Sequence, residues 1–246
     1  MLNGTCVLAL VLALQTPVAP PPPPPPPPSD RPIHQFFQNL GRDIVALPST
    51  ETVILVGAGV GGALAARPAD DNLQGWADGL GASGYTPIGR RLGDGWVQGG
   101  AALATYGVGI ASGHRTVAHI GSDLIRAQAL NAVITRGLKF AIGRRRPSGG
   151  PESLPSGHTS ASFTSAAVLG SHFGPRVGVP AYLAAGFIGW TRVRDNAHWL
   201  TDVIVGGAIG AAVGRTVTRN HGNSSWAVVP TASHDQVAIH VVRLSR

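Results

Sequence analysis

Three short segments of this sequence carry residues whose types and spacing could do chemistry. The first is Lys139-Phe-Ala-Ile-Gly-Arg-Arg-Arg146-Pro147. Lys139 and Arg146 are seven positions apart, two helical turns, so a helix would put both on one face. Pro147 disfavours helical geometry at Arg146 and is expected to end the helix there. Such an end can present both cations to one anion, with Arg offering a planar fork matched to phosphate oxygens. Arg144 and Arg145 fit a plainer role, as cations favoured by the dipole of the same helix end.

The second segment is Pro155-Ser156-Gly157-His158, which opens an apolar stretch. Ser and Thr are natural N-caps, and Gly lets a backbone approach a ligand closely. The free N–H groups of a helix start bind anions. His158 would then stand beside that anion and, when protonated, donate to a leaving group. A Ser156 nucleophile is disfavoured, because no G-x-S-x-G elbow surrounds it. The third segment is Arg192-Val-Arg-Asp-Asn-Ala-His198-Trp-Leu-Thr-Asp202. At i and i+4, His198 and Asp202 would share one helix face. A carboxylate there fixes the imidazole tautomer and stabilises the cation formed when the other nitrogen attacks. Arg192 would add a phosphate contact.

Each segment alone has a plain structural explanation. Their combination does not. A four-residue match such as PSGH is expected on the order of once in 10⁵ starts, and the other two flank it, one on each side, between positions 139 and 202. The only Lys in the chain is Lys139; the other 18 of its 19 basic residues are Arg.

The elements that must position these residues read as helices. Apolar segments at 52–66, 96–112, 124–142, 160–173, 177–190 and 200–217 have helical length and are separated by Gly/Pro-rich or charged stretches. An all-α bundle of about six helices over 31–220 is therefore expected. Few of these segments reach the roughly 18 strongly apolar residues of a spanning helix, which favours a soluble or peripheral bundle. After Asn220 the pattern changes to period two: 226–229 and 237–242 flank a polar turn at 231–236, the mark of a C-terminal β-hairpin over 221–246. Residues 1–19 contain a short apolar run of signal-peptide or anchor type, and 20–30 form a proline-rich linker. Gly57-Ala-Gly-Val-Gly-Gly62 follows the strand-like 53–56 and matches a dinucleotide fingerprint. No βαβ alternation surrounds it, so a packed Gly/Ala helix is the better reading.

Composition narrows the chemistry. The single cysteine, Cys6, lies in the leader, which rules out a disulfide, a thiolate metal site or a cysteine nucleophile in the domain. The net charge of +7 points to anionic partners, and phosphate esters are expected over nucleic acid.

Read together, K-x6-RP, PSGH and R-x5-H-x3-D resemble the three signature motifs of the type 2 phosphatidic acid phosphatase superfamily, which also includes bacterial acid phosphatases and vanadium-dependent haloperoxidases. The resemblance implies that Lys139, Arg146 and Arg192 bind the phosphoryl oxygens, helped by Ser156 and the Gly157 amide. His198 would form a phosphohistidine, Asp202 would orient it, and His158 would protonate the leaving oxygen. No metal or other cofactor is implied for a phosphatase. The third motif of the family begins Ser-Arg; here it is Thr191-Arg192, which keeps the hydroxyl.

The expected function is metal-independent hydrolysis of a lipid phosphate or small phosphomonoester, in the periplasm or cell envelope, with membrane association or integral membrane insertion left open. Two alternatives stand beside it: a haloperoxidase holding vanadate in the same pocket, and a non-catalytic envelope protein that binds anions or lipids.

Overall fold

The structure, a computed structural model, describes residues 35–80 and 84–219, and the backbone of 224–232 and 237–245. The apolar leader, Cys6 and the proline linker lie outside the described residues.

Nine helices occupy the described residues: α1 (Phe36–Ala46), α2 (Thr50–Ala66), α3 (Ala69–Gly79), α4 (Thr86–Leu92), α5 (Gly95–Ala111), α6 (Arg115–Ile142), α7 (Gly157–Phe173), α8 (Pro175–Arg194) and α9 (Leu200–Thr218). The expected count of about six is therefore too low. Each expected segment falls mainly within one of α2 and α5–α9, whereas α1, α3 and α4 were read as separators. Those three are short, 7 to 11 residues each, and leave no long apolar run in the sequence. Residues 53–56, strand-like by composition, lie inside α2. There Ser49 caps the helix by accepting the Thr52 N–H at 3.2 Å, which outweighs local β propensity. Gly57–Gly62 is likewise helical, with Gly59 packed on Ala208 of α9.

Separately, Ser224–Ala232 and Val237–Ser245 pair as antiparallel strands β1 and β2, in register from Ser224↔Ser245 to Ala232↔Val237.

Small residues set the spacing of the bundle. Gly206, Gly210 and Gly214 line one face of α9, one turn apart. A Cβ at Gly206 would come within 2.7 Å of the Ser156 carbonyl oxygen, and one at Gly214 within 2.6 Å of that of Thr164. The two helices therefore run side by side in the same direction in backbone contact, as small-xxx-small seams allow. On the other flank, Gly178 of α8 meets Gly170 of α7 backbone to backbone. The core beneath is built from Ile120, Leu124, Ala127 and Leu130 of α6 with Val168 of α7 and Ile209, Val213 and Val217 of α9.

Antiparallel α6 and α7 bring one end of α6 (His119, Asp123, Arg126) beside the end of α7 (His172). Arg126 is buried there, 2.6 Å from Asp123 and 2.8 Å from Asp43 of α1, while His172 reaches Asp123 at 2.9 Å. Removing the cation takes the guanidinium partner from two buried carboxylates. Arg126→Leu is accordingly expected to destabilise the fold by about 3–5 kcal/mol, read by thermal unfolding. A loss below about 1 kcal/mol would show that water reaches this cluster.

Candidate active site

The four helices α6–α9 bring their motif-bearing ends together. Lys139 is in the last turn of α6, His158 in the first turn of α7, Arg192 in the last turn of α8, and Asp202 in the first turn of α9. The N-termini of α7 and α9 thus turn their positive dipole ends toward the place where the cations gather.

Two local expectations are corrected. Helix α6 does not continue to Arg146; it stops at Ile142, because Gly143 adopts a left-handed conformation (φ 61°) and returns its N–H to the Lys139 carbonyl at 3.0 Å. Glycine at that position is a stronger terminator than a proline four residues further on. Arg146 therefore lies in a loop, where a tight turn (Gly149 N–H to Arg146 O, 2.9 Å) and the bond from Arg146 Nε to Pro151 O at 3.0 Å hold it. His198 is likewise not in a helix. Helix α9 begins at Leu200 with Trp199 as N-cap, and the Asp202 carboxylate accepts the Trp199 N–H at 3.0 Å. One carboxylate thus caps the helix and faces the histidine.

The eight residues singled out by the sequence lie together. His198 Nδ1 stands 3.7 Å from Asp202 Oδ2, too long for a hydrogen bond and short enough for a strong Coulombic pull. The fields of Lys139 and Arg146 also reach His198, and those of Arg192, Arg146 and His198 reach His158. The Lys139 stem crosses the Gly157 backbone, its Cε 3.9 Å from where a Gly157 Cβ would be, and its Nζ donates to Glu152 O at 2.5 Å. Arg192 pairs with Asp195 at 2.9 Å. Ser156 is fully buried as the N-cap of α7; its N–H reaches Asp202 O at 3.0 Å and its Oγ accepts from Thr159 at 2.9 Å, leaving the Ser156 hydroxyl proton to give.

Burial, followed by the Arg192 cation, pushes His158 down from 6.5 to about 4. Burial also pushes His198 below its usual range, against the opposing pull of Asp202. Among the described residues, His158 Nε2, Arg192 Nε and His198 Nδ1 are buried without a hydrogen-bond partner. Buried polar atoms are rarely left so; His158 Nε2 and Arg192 Nε fit an anionic ligand, while His198 Nδ1 faces Asp202.

Sequence reasoning missed a set of residues around Asp202. Ser153 donates to it at 2.5 Å, and Arg144, read as a dipole-favoured surface cation, contacts it at 2.7 Å. Asp70 of α3 bonds Arg144 in turn, at 2.9 Å. Nothing local marks Asp70, which is 132 positions from Asp202. The run of three arginines before Pro147 was the available signal for Arg144.

The chain is similar to known proteins in part of its sequence and in its fold. Residues 148–226 match the PAP2 superfamily, a span holding the second and third motifs and beginning after Arg146. Over 97 residues the chain is 36% identical to lipid A 1-phosphatase of Porphyromonas gingivalis, a match covering 38% of this chain and 22% of that one. The chain thus spans only about a fifth of the length of that relative. Its fold resembles the crystal structure of a transmembrane PAP2-type phosphatidylglycerolphosphate phosphatase from Bacillus subtilis, with a TM-score of 0.53 and 18% identity over 78% of this chain and 96% of that one. The second and third motifs thus lie inside the segment that matches the PAP2 superfamily, and the helical fold around them is similar to that of a PAP2-type enzyme.

Proposed function

We propose that this chain is a lipid phosphate phosphatase that works without a metal, through a phosphohistidine at His198. The observation that carries the reading is the meeting, at one end of four helices, of three cations, two helix N-termini and two histidines, one of them faced by a buried carboxylate. Phosphoryl transfer needs charge neutralisation around the equatorial oxygens and a nucleophile in line with the leaving group. Lys139, Arg146, Arg192 and the first amides of α7 neutralise the phosphoryl oxygens. His198 presents Nδ1 to Asp202, so Nε2 attacks phosphorus as the bond to the ester oxygen breaks. His158 gives that oxygen its proton, and the alcohol leaves. His158, now neutral, takes a proton from water, whose oxygen attacks phosphorus and releases phosphate and neutral His198. The covalent intermediate divides one difficult displacement into two easier ones.

The lipid character rests on the surface. Large apolar side chains stand exposed on α2 (Val53, Leu64), α5 (Leu103, Val108), α6 (Val133, 71% exposed) and α8 (Leu183, 70% exposed). So much apolar surface on several faces of one bundle is unlike a water-exposed monomer and suits contact with acyl chains. Helix α9, largely buried among the others, is long and apolar enough to cross a bilayer. The relatives named above include enzymes whose names specify phosphorylated lipids, in keeping with this class of substrate.

The test is phosphate release from a lipid phosphate in detergent with a chelator present, wild type against His198→Ala. Chelator-resistant release that disappears in the variant supports the reading; equal release by both proteins, or none from any lipid phosphate, overturns it.

A pH dependence follows. The reactive form of the free enzyme has His158 protonated and His198 neutral. Both groups titrate below 6.5, His158 at about 4, so kcat/KM is expected to peak below pH 6.5, after correction for the ester's own ionisation near about pH 6. Because a bound phosphate dianion raises both pKa values, kcat should hold to higher pH than kcat/KM. A kcat/KM that still rises between pH 6.5 and 8 would contradict the assignment.

A further inference from the structure

We propose that Asp70 and Arg144 are positioning residues of this site, forming a charge chain Asp70–Arg144–Asp202 that makes helix α3 part of the catalytic apparatus. The inference rests on the reading of His198 as nucleophile. The two Asp202 oxygens have divided tasks: Oδ2 faces His198 and takes the Ser153 hydroxyl and Trp199 N–H, while Oδ1 takes Arg144 Nη1 at 2.7 Å. Arg144 Nη1 also donates to Thr201 Oγ1 at 2.6 Å, and Nη2 to Asp70 at 2.9 Å. Asp70, 5% exposed, accepts the Thr201 N–H at 3.1 Å and the Thr201 hydroxyl at 2.8 Å. The Arg144 guanidinium lies 5.4 Å from the Trp199 ring centroid. Trp199, Thr201 and Asp202, three of the four residues after His198, are thus gripped from one side.

Helix α3 also holds the turn before His198. Its Ala77 carbonyl accepts from Arg194 at 2.7 Å, Asp78 accepts from Asn196, and Trp76 packs on Trp190 with centroids 5.5 Å apart. Packing of that kind would fix the helix without any buried charge, and buried ion pairs are poor devices for stability alone. The charge count supplies a reason for them. Arg144 by itself would cancel Asp202 and leave His198 facing a neutral pair. Asp70 returns the group to a net charge of −1, which favours the imidazolium character that His198 acquires as Nε2 bonds to phosphorus.

The test reads His198 directly. In full-length protein labelled at the histidine ring carbon, the His198 titration is followed by NMR for wild type, Asp70→Asn and Arg144→Gln. His198 also faces Lys139, Arg146 and His158, which neither variant alters. Removing the distal negative charge is expected to move the His198 midpoint to lower pH; removing the cation should move it to higher pH. A purely structural tie would move neither, or both in one direction, and either result overturns the inference whether or not the protein hydrolyses phosphate esters. Activity measured on the same samples, with His198→Ala, judges the phosphatase reading separately. There, both variants should lose kcat by on the order of 10-fold or more with KM little changed, and added guanidinium ion should partly restore Arg144→Ala. Arg145→Ala, with its exposed side chain, serves as the neighbouring control.

Discussion

His198→Ala is expected to lower kcat for a lipid phosphate by about 10⁴-fold or more, the scale on which removing the nucleophile of a catalytic unit acts. KM should change far less, since Lys139, Arg146, Arg192 and the α7 amides still hold the phosphoryl group. The variant should remain folded. His198 is 97% buried by its 3% exposure, but its Nδ1 makes no hydrogen bond among the described residues, so truncation strands no obligatory partner except the charge of Asp202. That charge keeps Arg144, Ser153 and the Trp199 N–H. Mixing the wild type briefly with labelled lipid phosphate and quenching in alkali should trap an alkali-stable, acid-labile phosphoenzyme that the variant lacks. A variant within tenfold of wild type would move the nucleophile elsewhere.

Gly210→Leu should be the most damaging single change away from the charged residues. A Cβ at Gly210 would overlap the Ser160 carbonyl oxygen and press on Phe163, and neither α7 nor α9 can yield locally, because Gly206 and Gly214 seal the same seam one turn on either side. Overpacking a close-packed site costs about 1–3 kcal/mol when side chains can adjust; here the obstacle is backbone, so at least the upper end of that range is expected. Any relief must part α7 from α9, and with them His158 from His198 and Asp202. Thermal unfolding in detergent and phosphate release should therefore fail together. Gly137→Ala is the matched comparison: its Cβ meets nothing within 4 Å, and helix propensity alone makes that change stabilising by about 0.5–1 kcal/mol. If Gly210→Leu melts with the wild type, helix contact does not set the spacing of the site.

The residues proposed to carry the chemistry could be picked out from the sequence alone. Lys139, Arg146, Ser156, Gly157, His158, Arg192, His198 and Asp202 were legible because a phosphate site made from helix ends must draw on short, ordered runs, and short runs are what a sequence displays. The long helices were legible for a related reason, since apolar runs of helical length separated by Gly/Pro-rich or charged stretches are a local feature of the sequence. What remained hidden was decided over distances that no local pattern spans. Gly143 stopped α6 before Pro147 could, so Arg146 reached the site from a loop. Trp199 and Asp202 started α9 one residue after His198, so the pair faces across a helix cap instead of along a helix surface. The apolar segments, short of spanning length, favour a soluble or peripheral bundle; packing puts α9 among the other helices and leaves many apolar side chains on α2, α5, α6 and α8 outside. Asp70 and Arg144 are the clearest case. A lone aspartate and one arginine among three have no signature of their own, and they acquire a role only because α3 packs beside the turn that carries His198, where a buried carboxylate must find a cation and a buried cation must find a second carboxylate.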